Sequence, residues 1–168
     1  IHLNQNKKIM NNLIEDISYV YLETTNFCNL DCAFCNRRDV VKKAKHMSLE
    51  NWDNVLEKLS SQPITEAKLM GLGEPFMHPH FAKICENFRA AFPQAFTIVA
   101  TNCQYKLNDN FIKSIPFINL LYLSIDGYKE NYEKDRRHAS WEKLLSFLDE
   151  LSMIERGKTR IAINYVVT

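Results

Sequence analysis

No apolar run in the 168-residue sequence approaches the roughly 18 residues that a membrane-spanning helix needs. Nothing near its start has the basic, apolar, small-residue layout of a secretory signal. The cytoplasm is therefore the expected location. Charge of one sign is also lacking: 21 basic and 20 acidic side chains leave a formal charge of +1. The balance does not argue for nucleic acid or membrane as a partner. The sequence shows no repeat, no low-complexity tract and no obvious linker. Its five cysteines cannot all pair with one another, which argues against a simple disulfide framework.

What is present is the composition of a folded chain. Ten Phe, seven Tyr and two Trp supply bulky apolar surface for a core of about one domain. The chain begins with Ile1 and stops at Thr168 inside a strand-like run, so the expectation is a piece of a longer polypeptide. Residues 1–17 read as an arm or short helix and residues 18–168 as a single core domain. Within that domain a β-type run begins at Val20 and ends at Thr24-Thr25. A helix follows behind an N-cap at Ser48, with Leu49, Trp52, Val55, Leu56 and Leu59 at helical spacing. Lys68–Met70 reads as a strand, and a helix opened by Pro79 buries Phe81, Ile84, Cys85, Phe88 and Phe92. Strands over Phe96–Ala100, Leu120–Ile125 and Ile161–Val167 alternate with helices near 108–114 and 141–151. The last of those helices places Trp141, Leu144, Leu145, Leu148 and Leu151 on one face.

This βαβαβαβαβ order predicts parallel strands joined by crossovers, either an open doubly wound sheet or an incomplete (β/α) barrel. Every unusual polar cluster falls just after a strand: Thr25–Cys35, Gly71–Glu74, Thr101–Cys103 and Ser124–Gly127. Both architectures bind ligands at the C-terminal ends of their strands, so one mouth gathers the chemistry.

Cys28, Cys32 and Cys35 form a C-x3-C-x2-C segment, three thiols within eight residues. Thiolates are soft ligands suited to zinc or iron–sulfur centres. Three is the informative count. An electron-transfer cluster commonly takes four cysteines, whereas three leave one iron open to a small molecule. A structural zinc site with His46 as fourth ligand is the rival, although no second C-x2-C is present. The five histidines show no paired metal spacing on a helix.

The segment, with Phe34 at its aromatic position, resembles the signature of the radical S-adenosylmethionine (radical SAM) superfamily, and the likeness extends from about Tyr19 to Thr168. The resemblance implies a partial (β/α) TIM-like barrel with five of the usual six strands, truncated before the last. It implies a [4Fe–4S] cluster on the three cysteines, with S-adenosylmethionine chelated to the fourth iron. One electron would then generate a 5′-deoxyadenosyl radical that takes a hydrogen atom from substrate. Gly71-Leu72-Gly73-Glu74-Pro75 resembles the family's Gly-Gly-Glu-Pro segment, with Glu74 as acceptor for the cofactor's amino group. Ser124-Ile125-Asp126-Gly127 resembles its Ser-x-Asp-Gly; Asp126 serves either as a contact or in a turn. Arg136, with Arg137 as the alternative register, matches an arginine that pairs with the cofactor carboxylate. Thr101 and Asn102 line the ribose side or form a turn. Val166 stands where the family packs an apolar residue on adenine, with core packing as the competing role for it and Val167. No side chain is assigned a catalytic role beyond the cluster ligands. Cys85 reads as a core thiol, and Cys103 as either a core thiol or a group at the mouth.

The motif style is that of the branch whose members often carry a C-terminal SPASM/twitch domain with auxiliary clusters. The implied partners are a peptide or small-molecule substrate and an electron donor such as flavodoxin or ferredoxin. A non-catalytic electron relay or sensor, and a zinc-stabilised binding module, are the alternatives.

Overall fold

A computed structural model describes residues 16–166, so the arm expected over 1–17 falls almost wholly outside the described residues. In chain order the elements are β1 (Tyr19–Tyr21), α1 (Arg37–Val40), α2 (Leu49–Leu59), β2 (Glu66–Lys68), α3 (Phe81–Ala91) and β3 (Phe96–Thr101). They continue with α4 (Asp109–Ser114), β4 (Leu120–Ser124), α5 (Glu130–Asp135), α6 (Trp141–Met153) and β5 (Arg160–Asn164).

All strand pairings are parallel and the spatial order equals the chain order, β1-β2-β3-β4-β5. A doubly wound sheet reverses its order at a switch point. This one does not, so the winding is that of a partial barrel. Register follows from Val20 opposite Ala67, Ala67 opposite Thr97, Val99 opposite Leu121 and Leu121 opposite Ile161.

The two-residue pleat divides the sheet into two faces. Val20, Ala67, Val99, Leu121 and Leu123 join the buried cluster with Trp52 and Leu56 of α2, Phe81, Ile84 and Phe88 of α3, and Leu144, Phe147 and Leu151 of α6. The concave face carries Tyr19, Tyr21 and Lys68, whose ammonium stands 5.6 and 5.9 Å from the two tyrosine rings. Ser48, Asn108 and Ser140 cap their helices, each side-chain oxygen accepting from the backbone N–H three residues on.

Three expectations shift. On α6, Leu145 is exposed and Phe147 takes its place in the core. At 100° per residue, Leu145 sits a quarter-turn off the Leu144–Leu151 stripe, whereas Phe147 flanks it on the other side. β2 ends at Lys68 rather than Met70, although Leu69 N still donates to Ile98 O at 2.9 Å. β5 ends at Asn164, so Val166 lies beyond the strand and is exposed, not core; Val167 is outside the described residues. Two short helices, α1 and α5, complete the set of elements, α5 beginning three residues after the Ser124–Gly127 segment. Among the described residues no helix is long and apolar enough to cross a membrane.

Candidate metal and cofactor site

The cysteine loop leaves the C-terminal end of β1 and is pinned by its neighbours. Asn26 N donates to Lys45 O and Met47 N to Thr24 O, tying the base of the loop to the segment before α2. Glu74 N donates to Phe27 O at 2.8 Å. Asp31 N and Ala33 N donate to Arg137 O and Asp135 O, which draws the middle of the loop against the end of α5. Asn29 Nδ2 donates to Gln104 O beyond β3 at 2.9 Å. The ends of β1, β2 and β3 and of helix α5 thus converge on one loop of 15 or so residues.

Cys28, Cys32 and Cys35 are free, half-buried thiols lining one cavity of about 230 Å³. The cavity is also lined by Phe34, Gly71, Leu72, Gly73, Glu74, Thr101, Asn102, Ser124 and Arg136, nine of the eleven residues expected to bind the cofactor. A larger groove of about 780 Å³ lies beside β1 and α2, lined by Glu23, Lys45, His46 and Asn54 among others. No thiol faces it, so the smaller cavity is the chemical one.

Of the two candidate arginines, Arg136 is the buried one. Its Nη2 pairs with Asp126 Oδ2 at 2.6 Å, its Nη1 stands 3.8 Å from Cys32 Sγ, and its guanidinium lies 5.5 Å from the Phe34 ring. Arg136 Nε is buried without a hydrogen-bond partner. Arg137 is largely exposed and only approaches Asp31 at 4.0 Å.

Glu74 lines the cavity and is also tied to the neighbouring strand. Its Oε1 accepts from Thr101 Oγ1 at 3.0 Å and its Oε2 from Asn102 N at 2.7 Å. The carboxyl group braces the ends of β2 and β3 where it lines the cavity. Burial pushes its carboxyl up to about 7, against the opposing pull of those hydrogen bonds.

Asp126 and Val166 do not line the cavity. Asp126 holds Arg136 with one oxygen and accepts from Val166 N with the other, at 2.8 Å. The pleat of β5 gives the wall position to Asn164, whose carbonyl accepts from Ile125 N at 3.0 Å. Cys103 is fully buried at φ 60°, its thiol directed to Thr101 O at 3.7 Å, and burial pushes its pKa up. It is a core thiol, as is Cys85. Sequence patterning assigns no separate role to Asn29, Gln104 or Tyr132; their signal is a polar side chain within or just beyond a motif segment, Tyr132 on α5.

The donor set fits an iron–sulfur cluster better than a single ion. Burial pushes the Cys28 thiol up and Cys32 to about 11, with the Arg136 charge opposing it at Cys32. Metal binding would release those protons. Among the described residues no three His, Cys, Asp or Glu side chains converge to hold one ion. His46 is engaged elsewhere, its Nδ1 2.8 Å from Thr25 Oγ1 and its ring against Phe27 and His78. A preformed zinc site through His46 is not what the geometry offers.

Comparison with known proteins agrees with this arrangement. The family described as Radical SAM superfamily matches residues 22–167. A GTP 3′,8-cyclase of Clostridium perfringens is 25% identical over 158 residues, covering 90% of this chain and 47% of that protein. A tungsten-containing aldehyde ferredoxin oxidoreductase cofactor-modifying protein of Pyrococcus furiosus is 26% identical over 115 residues, covering 66% and 31%. The chain therefore spans less than half the length of these relatives. In fold it is similar to Streptococcus suis SuiB bound to S-adenosylmethionine, with a TM-score of 0.70 at 14% identity, covering 93% of this chain and 36% of that one.

Proposed function

The chain belongs to the radical SAM superfamily, and from that premise we propose that Cys28, Cys32 and Cys35 hold a [4Fe–4S] cluster beside a cavity that receives S-adenosylmethionine. When bound, the cluster supplies the electron that splits the sulfur–C5′ bond of S-adenosylmethionine, releasing methionine and a 5′-deoxyadenosyl radical that takes a hydrogen atom from substrate.

The observation that carries this reading is the shared lining of one cavity by three free thiols, the Gly71–Glu74 turn, Ser124 and Arg136. Three thiols would leave one metal position open, and those thiols line a space of about 230 Å³. Gly71 and Gly73 allow the β2 turn to lie against the β1 segment without a side chain between them. Glu74 fixes the spacing of β2 and β3. Arg136 lines the cavity as a cation held by Asp126, and its guanidinium suits an anionic group such as the cofactor carboxylate. Phe34 covers the cysteine side, Ser124 and Asn164 the β4–β5 side. A relay or sensor would hold the cluster without needing this polar cavity next to it.

The substrate class in this proposal is a peptide or a small molecule such as a sugar or cofactor precursor. A flavodoxin or ferredoxin would supply the electron, and the cytoplasm would be the compartment. The two relatives described above, a cyclase of GTP and a cofactor-modifying protein, are both consistent with small-molecule chemistry.

Anaerobic reconstitution with iron and sulfide, reduction, and addition of S-adenosylmethionine test the reading directly. The expected result is a brown protein that releases 5′-deoxyadenosine, with Cys32→Ala holding no [4Fe–4S] cluster and releasing none. A colourless protein retaining zinc would overturn it. A brown one that yields no nucleoside would leave the relay as the better account.

A further inference from the structure

Cys28 is met by donors from two directions. Leu30 N stands 3.4 Å from its sulfur and Asn102 Nδ2 stands 3.7 Å from it. The backbone contact follows from the turn of the loop itself. The side-chain contact is built: Asn102 belongs to the end of β3, 74 residues away, and is buried.

A closed ring of hydrogen bonds orients that amide. Asn102 Oδ1 accepts from Gln104 N at 2.9 Å, Gln104 O accepts from Asn29 Nδ2 at 2.9 Å, and Asn29 Oδ1 accepts from Asn102 Nδ2 at 2.8 Å. The ring assigns the amide unambiguously, because the oxygen faces an N–H and the nitrogen faces acceptors. An amide nitrogen carries two hydrogens. One goes to Asn29, and the second points at Cys28 Sγ. Gln104 is in turn held by Tyr132 and Ser140, through Nε2 at 3.1 Å to each and Oε1 accepting from Ser140 N at 2.8 Å. None of these groups is one of the three thiols, and Asn102 is further fixed by its backbone N–H, which donates to Glu74 Oε2 at 2.7 Å.

Donors to cysteine sulfur stabilise the more negative, reduced state of an iron–sulfur cluster and so raise its potential. We propose that Asn102, aimed by Asn29 and Gln104, donates an N–H···S hydrogen bond to the Cys28 ligand and raises the reduction potential of the cluster. This makes Asn102 a residue that sets how readily the external donor can reduce the centre, not merely a wall of the ribose side. The inference rests on the cluster assignment made above.

The test is an EPR-monitored redox titration of the reconstituted holoprotein, in wild type, Asn102→Ala and Asn29→Ala. Asn29→Ala keeps every thiol and Asn102 itself, and releases only the ring. At the wild-type midpoint, Asn102→Ala should cut the ratio of reduced to oxidised cluster about tenfold, a downward shift of about 59 mV for a one-electron couple. Asn29→Ala should move it the same way by a smaller factor. Unchanged midpoints in both variants would overturn the proposal. So would an Asn102→Ala protein that loads fewer than four irons, since Asn102 would then be a requirement for assembly rather than a tuning donor. A wild-type protein showing no [4Fe–4S] signal would sink the cluster assignment first, and is distinguished from the other outcomes by its iron content alone.

Discussion

At the scale of single residues, the two glycines of the Gly71–Glu74 turn are unequal. A Cβ on Gly73 would run into Thr25 O and lie 2.7 Å from Phe27 O, backbone atoms that cannot swing aside. One on Gly71 would meet the Glu23 side chain, which can move at the cost of its hydrogen bond from Leu72 N. Gly73→Ala is therefore expected to lower stability by about 2 kcal/mol, in the range of overpacked sites, and Gly71→Ala by less. Thermal melts of the two variants should separate by several degrees, with Gly73→Ala the lower. Equal melting points would show that the close approach at Gly73 has no energetic consequence. These glycines were legible because the turn stood out in the sequence after a strand. The bracing hydrogen bonds of Glu74 were not, because one dimension does not show that Thr101 and Asn102 come within reach of its carboxyl group. The same holds for Val166, where a strand pattern ran on past the point at which Asn164 closes the ladder.

At the scale of elements, the caps and apolar stripes were readable, while long-range ties between element ends were not. Arg89 on α3 is the clearest case. Its guanidinium donates to Pro93 O, Ala95 O, Thr97 Oγ1, Phe117 O and Asn119 Oδ1, at 2.6 to 3.1 Å. It joins the end of α3 to the starts of β3 and β4, at the end of the sheet opposite the cysteines. In sequence it is one more basic residue in the last turn of a helix, where solvation is the common fate. An ammonium cannot reproduce the fork. Arg89→Lys should destabilise the fold by about 3 kcal/mol, leaving buried acceptors unmet, a fall of roughly 6–12 °C in melting temperature for a chain of this size. Iron loading of the surviving folded protein should match wild type, because conserving the strand ends that carry the thiols does not require this tie. Loss of iron at unchanged stability would mean the two ends of the sheet are coupled.

At the scale of the molecule, strand order decided what periodicity could not. The sequence read equally well as a doubly wound sheet or a partial barrel, since both alternate strand and helix; only the unreversed order β1-β2-β3-β4-β5 separates them. That winding brings strand ends together and buries the groups between them, and the burial should be visible in the stability of the whole chain. Burial holds the Glu74 carboxyl protonated up to about pH 7, whereas in the unfolded chain it ionises near 4.5. Between those values the folded state binds more protons than the unfolded one, so this contribution to stability falls as pH rises. His78 works in the opposite sense: burial lowers its pKa below 6.5, so its contribution grows as pH rises toward that value. The wild-type profile mixes the two, but the difference between wild type and Glu74→Gln removes the histidine. Denaturant unfolding followed by Trp52 and Trp141 fluorescence should show the variant gaining on wild type by roughly 2 kcal/mol from pH 5 to pH 7, at about 1.4 kcal/mol per unit of proton linkage. A difference that stays constant over that range would mean that Glu74 is ionised throughout, its hydrogen bonds from Thr101 and Asn102 outweighing the loss of solvent.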